Sequence, residues 1–143
     1  MAATESWFGG STVPGSVQIE ADLPVFRAVD GHHRPVPFIL TRDMFGGIPL
    51  ELGGAEISNL VDTPVAEAHV HDVPEIYLLF APNPGDAVIS IEVDDETYEL
   101  SSPGALYVPA GRRHRFVTRK AVPGSFCFGL FVHSGSEGVQ RDE

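Results

Sequence analysis

The chain has 143 residues, of which 43% are hydrophobic and 20% are charged, a composition typical of one globular domain with a single core. Its 20 acidic and nine basic residues give a formal net charge of −11, which argues against nucleic acid as a partner, because phosphate backbones are bound by Lys and Arg. Cys127 is the single cysteine, so the sequence excludes an intrachain disulfide and a cysteine-rich metal site. The six histidines are left as the residues of chemical interest.

The two ends of the sequence are predicted to lie outside the folded domain. Residues 1–15 are small, polar and rich in glycine, which favours an N-terminal arm that is loose or crosses to a partner. Residues 134–143 are polar and predict a flexible tail, so the domain would span residues 16–133. The apolar runs are too short to cross a membrane, and the first residues lack the pattern of a signal peptide. We therefore expect a cytoplasmic protein without membrane contacts.

Between these ends the sequence predicts short strands joined by turns, because glycines and prolines are scattered along its whole length. In chain order, stretches that favour strands lie at residues 36–44, 50–61, 76–81, 87–94, 97–100, 105–109 and 126–133. The clearest is 87–94, where one set of alternating residues is wholly apolar and predicts a buried strand face. This set is Ala87, Ile89, Ile91 and Val93.

No stretch of twelve residues shows helical periodicity with caps, so the strands must cover one another. We predict an all-β fold, an antiparallel sandwich or jelly roll.

The first candidate site lies in the segment 69–75, which reads His-Val-His-Asp-Val-Pro-Glu. On a strand, residues i and i+2 point to the same side, so His69 and His71 would present two imidazoles to one point. Pro74 lets the chain turn, after which Glu75 can swing a carboxylate toward the same point. Imidazole and carboxylate ligands suit zinc, iron, manganese or nickel. Taken alone, the segment is more simply interpreted as two surface histidines near a turn.

A second segment strengthens the metal interpretation. Residues 103–116 combine a glycine turn, a short apolar strand and the sequence Pro-Ala-Gly-Arg-Arg-His, which brings the imidazole of His114 to the start of another strand. Together the two segments resemble the motifs of the cupin superfamily. In that superfamily His-x-His with a following Glu is paired with Pro-x-Gly-x-x-His.

This resemblance covers about residues 64–132 and implies a single-domain cupin, a double-stranded β-helix of jelly-roll type. Carried over position by position, it implies metal ligands at His69, His71, Glu75 and His114. The sequence departs from the family pattern in places. Thr63 and Pro82, for example, stand where the family has glycine, but no departure removes a ligand.

Three further histidines lie outside the two motifs: His32, His33 and His133. Each taken singly is more simply interpreted as an exposed loop or strand-end residue. A metal site with open positions could still recruit one more imidazole, in addition to Glu75 or in its place. We prefer His33, because the prolines that follow it would stiffen its approach to the site.

Basic residues cluster beside His114. Strand alternation turns Arg113 and Arg115 to the opposite face, which favours pairing with surface acids. Arg112 shares parity with His114, so we predict that it faces the cavity and holds an anionic or enolic oxygen of the substrate.

The segments 31–35 and 69–75 are also similar to those of the small cupin-type cyclases of bacterial aromatic polyketide pathways, the resistomycin cyclase group. This resemblance implies a metal-dependent polyketide cyclase, with zinc as the first choice of ion. Such an enzyme performs regiospecific aldol cyclisation and aromatisation of a poly-β-keto chain in antibiotic biosynthesis. The resemblance further implies a homodimer and a hydrophobic polyketide substrate, and it leaves open whether the enzyme acts beside a polyketide synthase.

A flat hydrophobic substrate would fit an aromatic cavity. We expect its lining to be drawn from Phe38, Leu40, Leu78, Phe80, Tyr107, Phe116, Phe126 and Phe128.

Two other functions stay open on the sequence. One is a cupin oxygenase, in which iron or another redox metal on the same residues activates dioxygen against an aromatic or thiol substrate. The other is a ligand-binding cupin without catalysis.

Overall fold

The computed structural model describes residues 15–134, and within this range its regular secondary structure consists almost wholly of β-strands. The strands are β1 (Val25–Arg27), β2 (Val36–Leu40), β3 (Leu50–Glu56), β4 (Glu75–Phe80), β5 (Ala87–Val93), β6 (Glu96–Ser101), β7 (Gly104–Val108), β8 (His114–Ala121) and β9 (Phe126–Val132). The described residues contain no helix that is long and apolar enough to span a membrane. The all-β prediction is confirmed. The arm predicted at 1–15 and the tail predicted at 134–143 fall, apart from residues 15 and 134, outside the described residues.

The strands form two antiparallel sheets. The larger sheet has the order β1-β2-β3-β9-β4-β7, and the smaller has the order β6-β5-β8. Four of the seven neighbouring pairs join strands that are not consecutive in the chain, because the chain repeatedly crosses from one sheet to the other. This connectivity is that of the predicted jelly roll.

The core lies between the two sheets. β5 is the central strand of the smaller sheet, and its residues are alternately buried and half-buried, as the alternation in the sequence predicts. Its buried side chains pack against inward-facing residues of the larger sheet, such as Leu79 and Val108, both with no exposed surface. Each sheet therefore buries one face against the other.

Two predicted strands are shorter in the structure than their apolar sequences indicate. The stretch 36–44 ends as a strand at Leu40, because the chain turns through a 3-10 element at Met44–Gly46 in which Phe45 has a φ of 57°. The stretch 50–61 ends as a strand at Glu56, because Ile57 is buried at the start of a turn. In both cases an apolar residue beyond the end of the strand, Met44 or Ile57, is buried in a turn. β1 was not predicted.

The outer face of the larger sheet is rich in aromatic residues. Phe80, Tyr107 and Phe126 are 49%, 59% and 38% exposed, and the ring of Phe126 stacks on that of Phe128 with centroids 6.0 Å apart. Pairing through this face would suit the expected homodimer, which stays a prediction.

The burial of β5 yields a stability prediction. Ile91 is fully buried, whereas Val88 is half-buried on the opposite face of the same strand. Ile91→Ala should lower the free energy of unfolding by about 2–5 kcal/mol, because it leaves a cavity between the sheets. Val88→Ala removes a β-branched side chain from the same strand and should cost clearly less. Urea denaturation measures the free energy of unfolding of each variant. Equal losses would contradict a strand that buries only one of its two faces.

Candidate metal centre

The two motif segments meet through backbone hydrogen bonds. The amide of His69 donates to the carbonyl of His114 at 3.0 Å, and the amide of His114 donates back at 2.8 Å. The amide of Gly111 donates to the carbonyl of His71 at 2.8 Å. The predicted strand through His69 and His71 is thus reduced to a single bridge, because the chain bends before Pro74. Even so, the segment lies against the start of β8, which brings its two histidines close to His114.

Glu75 and His114 face each other from different sheets. Glu75 is the first residue of β4 and His114 the first of β8, and they are 6% and 2% exposed. Nε2 of His114 donates to Oε1 of Glu75 at 2.8 Å, and Nε2 of His71 lies 3.6 Å from the same oxygen. Pro74 ends the preceding segment and Glu75 opens the strand, as predicted.

The ring nitrogens of the histidines are oriented by the backbone. Nδ1 of His69 lies 2.7 Å from the carbonyl oxygen of Glu67, and Nδ1 of His114 lies 2.8 Å from that of Arg112. Because a carbonyl only accepts, both Nδ1 atoms carry a proton and donate, which leaves the Nε2 atoms for the site. Histidines that bind metals commonly have such a partner on the second ring nitrogen.

His69, His71, Glu75 and His114 form what we call the four-residue cluster. One ligand atom from each of these residues lies within 4.8 Å of those of the others. Two atoms about 2.0–2.2 Å from one ion are at most about 4.4 Å apart, so small movements would close the cluster round an ion. In addition, Nε2 of His71 is buried without a hydrogen-bond partner in the described range. The donor set and this unpaired nitrogen both fit a divalent metal.

The pKa values of two cluster histidines are shifted in opposite directions. Burial lowers the pKa of His71 most; the Glu75 carboxylate opposes this effect, the neighbouring His69 and His114 add to it, and the resulting pKa is about 4. Burial also acts to lower the pKa of His114, but its hydrogen bonds to Glu75 and to the Arg112 carbonyl outweigh burial and raise it. His71 is therefore neutral at neutral pH, while His114 holds a proton that an ion at Nε2 would replace.

A cavity of about 410 Å³ lies beside the cluster, and His69 and Glu75 form part of its wall. The aromatic residues in this wall are Phe38, Tyr77, Phe116 and Phe131. Burial raises the pKa of Tyr77, so its hydroxyl stays protonated. The ring of Phe131 also meets the edge of His71, with centroids 4.8 Å apart.

The sequence identified part of this wall. Phe38 and Phe116 line the cavity as expected, but Leu40, Leu78, Phe80, Tyr107, Phe126 and Phe128 do not. Glu75 faces inward, so strand alternation turns Leu78 and Phe80 to the outer face of the larger sheet. The same rule, counted from Glu75, would have found Tyr77.

The histidines outside the motifs take different positions. His33 lines the outer part of the cavity, is about half-exposed, and has Nε2 3.8 Å from a carboxylate oxygen of Glu67. The structure does not bring His33 into the cluster. His32 lies closer, with its ring centroid 5.0 Å from that of His69, and burial, followed by the proximity of His69, lowers its pKa. His133 hydrogen-bonds Glu51 at 2.8 Å and is also outside the cluster.

Arg112 does not line the cavity, contrary to the sequence prediction. Its side chain pairs with Asp94 in the turn between β5 and β6, and both side chains are well exposed. Arg112 belongs to a turn, where strand alternation does not fix the direction of a side chain. The expectation that Arg115 pairs with a surface acid is confirmed by its contact with Glu92 at 3.1 Å.

Comparison with known proteins identifies the fold. No protein-family model matches the sequence, and no curated protein matches it significantly. Solved structures do match. A Cupin 2 conserved barrel domain protein from Salinispora arenicola has a TM-score of 0.53 at 16% identity, over 86% of this chain and 94% of that one. An RmlC-like cupin from Shewanella frigidimarina has a TM-score of 0.50 at 12% identity, over 87% and 97%.

The structure of FeII HppE is also similar, with a TM-score of 0.59 at 14% identity, over 85% of this chain and 63% of that one. At these identities the likeness concerns the fold alone. The chain therefore has the cupin barrel fold, which confirms the predicted fold class.

The cluster makes a prediction about metal content. His71→Ala removes one ligand and should lower the affinity for Zn²⁺ by about 100-fold or more, beyond the effect typical of an outer partner. His33→Ala should leave the affinity unchanged, because its ring pairs with Glu67 outside the cluster. Competition with a chromophoric chelator measures both values. Equal losses in the two variants would place His33 among the ligands.

The position of Arg112 makes a second prediction. Its hydrogen bond to Asp94 is the largest cause of the lowered pKa of that carboxyl, so Arg112→Ala should raise this pKa toward the ordinary value. The pKa of Asp94 is lower in the folded chain than in the unfolded one. The pair with Arg112 therefore stabilises the fold at pH values above the ordinary carboxyl pKa, and this stabilisation is lost as the pH falls through the pKa of folded Asp94. NMR titration of Asp94 measures the shift, with Arg115→Ala as a matched control. An unchanged Asp94 in Arg112→Ala would show that the pair does not form in solution.

Proposed function

We propose that the chain is a metal-dependent cyclase that closes and aromatises rings of a poly-β-keto chain in the biosynthesis of an aromatic polyketide. The observation that carries this proposal is the cavity of about 410 Å³, mostly apolar in its lining, which has two cluster residues in its wall. A cavity of this kind suits a hydrophobic substrate with few polar groups. The resemblance of segments 31–35 and 69–75 to the polyketide cyclases points to the same substrate class.

The cluster would hold the ion through Nε2 atoms of its three histidines and the carboxylate of Glu75. When bound, a divalent ion supplies a Lewis acid that polarises a substrate carbonyl. Zinc is our first choice, because aldol ring closure needs no redox change and zinc has none. The same ligands also suit iron, manganese or nickel.

The chain's own residues would fold and orient the substrate. Phe38, Phe116 and Phe131 offer apolar surfaces that exclude water and restrict a flexible chain to bent conformations, which brings its reacting carbons together. Tyr77 stays protonated in the same wall and can donate a hydrogen bond to a carbonyl oxygen. In the reaction one carbon next to a carbonyl loses a proton and bonds to another carbonyl carbon of the same chain, and loss of water then gives the aromatic ring.

The main alternative is an iron-dependent oxygenase acting on an aromatic or thiol substrate. Three imidazoles and a carboxylate suit iron as well as zinc, and FeII HppE, whose name records iron, has a similar fold. A second alternative is a cupin that binds a small molecule without turnover. The three functions differ in the ion that they need and in the fate of the substrate.

One experiment separates these functions. The purified full chain is loaded with Zn²⁺ and incubated with a synthetic linear poly-β-keto ester, while products are followed by mass spectrometry and oxygen by an electrode. We expect cyclised product that has lost water, without oxygen consumption. Activity should vanish on chelation, return with zinc, be absent from His71→Ala and persist in His133→Ala.

Other outcomes would overturn the cyclase proposal. Oxygen uptake with an oxygenated product in the iron-loaded chain would favour the oxygenase. Tight binding of the ester without any product would favour the binding protein.

A further inference from the structure

Gly129 lies in the middle of β9, between Gly53 of β3 and Tyr77 of β4. Its φ angle is not in the left-handed region, so the backbone conformation there is open to any residue. Glycine inside a strand weakens it, and its presence commonly marks a place that another group approaches closely. A contact on the inner face of the sheet must therefore explain this glycine.

That contact is with Glu75. A Cβ atom at position 129 would overlap Oε2 of Glu75 and would lie 3.3 Å from Cδ of the same carboxylate. The carboxylate thus occupies the space that any other residue at this position would fill.

The Glu75 carboxylate is not free to move away from such a Cβ atom. Its other oxygen, Oε1, accepts the hydrogen bond from His114 at 2.8 Å and lies 3.6 Å from Nε2 of His71. Because both oxygens are bonded to Cδ, Oε2 cannot move away from the Cβ atom without moving Oε1 as well. A displacement of Oε2 would break the approach of Oε1 to the two histidines.

We infer that Gly129 is a positioning residue of the metal centre, which decides that the carboxylate of Glu75 is the fourth ligand. This inference rests on the metal centre of the proposed function. With a larger residue at 129 the site would be reduced to three imidazoles and would lose its negative charge. The loss of the carboxylate would change both the affinity of the site for divalent ions and the set of ligands around the ion.

The test compares four full-length chains with the wild type: Gly129→Ala, Gly53→Ala, Glu75→Ala and the double variant Glu75→Ala/Gly129→Ala. Gly53 is the matched control, because it pairs with Gly129 across the sheet but a Cβ atom there would have side-chain atoms of Val36 and Phe38 as its nearest neighbours, at 3.0–3.3 Å. Zn²⁺ affinity is measured by competition with a chelator. The absorption spectrum of Co²⁺ reports the ligand set independently of activity.

We expect Gly129→Ala to weaken Zn²⁺ binding by about 10- to 100-fold and to alter the Co²⁺ spectrum, in the range found when partners that orient a ligand are removed. Gly53→Ala should retain the wild-type affinity and spectrum. In the Glu75→Ala background the second substitution should change the affinity little, because the group through which Gly129 acts is already gone.

The contrary results are equally clear. The inference would be overturned if Gly129→Ala kept the wild-type affinity for Zn²⁺. It would also be overturned if Gly129→Ala lowered this affinity as much in the Glu75→Ala background as in the wild type. If Gly129→Ala fails to fold while the double variant folds, the clash with Glu75 is supported. If both fail, the backbone itself requires glycine and the inference is wrong.

The proposed function can fail separately. A wild-type chain that binds Zn²⁺ through Glu75 but never cyclises the ester would overturn the cyclase and leave the role of Gly129 intact. A wild-type chain that binds no divalent ion would overturn both.

Discussion

The hydrogen bond between Glu75 and His114 is the contact on which the rest of the site depends. It joins the first residue of β4, in the larger sheet, to the first residue of β8, in the smaller one. Both side chains are withdrawn from solvent, and burying two ionisable groups is costly unless their remaining polar atoms are also hydrogen-bonded. The carbonyl of Arg112 meets that need at Nδ1 of His114. The backbone bridge between His69 and His114 then places the two other imidazoles against the same pair.

The site is built at some cost to the stability of the fold. Nε2 of His71 has no hydrogen-bond partner in the described range, and a buried polar group of this kind costs about 1–3 kcal/mol. Gly129 adds the entropic penalty of glycine in a strand. Both features are unfavourable for a barrel that serves only as a scaffold, but both are what a metal centre needs. Departures from local stability that converge on one place are characteristic of functional sites.

The sequence predicted the local features of this structure better than the long-range ones. The burial of Ile89 and Ile91 follows from strand alternation, which depends only on neighbouring residues. The motif spacing indicated the four cluster residues, because each motif holds its ligands within a few positions of one another. Arg112 was misplaced since it lies in a turn, where the side-chain direction is set by its contact with Asp94, eighteen residues away.

The same limit explains why the sequence could not show which of His32 and His33 lies nearer the cluster. His32 forms a single bridge with Ala66 and His33 follows it in a bend, so the direction of neither side chain can be counted from a regular strand. Which one lies nearer is decided by a distant contact: Gly31, with a φ of 86°, packs so closely on His69 that an added Cβ atom would lie 3.2 Å from the Cβ atom of His69. This pairing brings His32 to His69 and leaves His33 beside Glu67. No pattern within residues 31–35 could have predicted it.

The arrangement of the cluster also limits how a ligand can reach it. His69 and Glu75 line the cavity, whereas His71 and His114 are not part of its wall. In the proposed function, a substrate in the cavity would reach the cluster on the side that His69 and Glu75 line. In that function the wall formed by Phe38, Phe116 and Phe131 would select the substrate, because its apolar part must fit the cavity for its polar group to reach the cluster. The proposed cyclase would accordingly owe its specificity to these aromatic residues and its type of chemistry to the four-residue cluster.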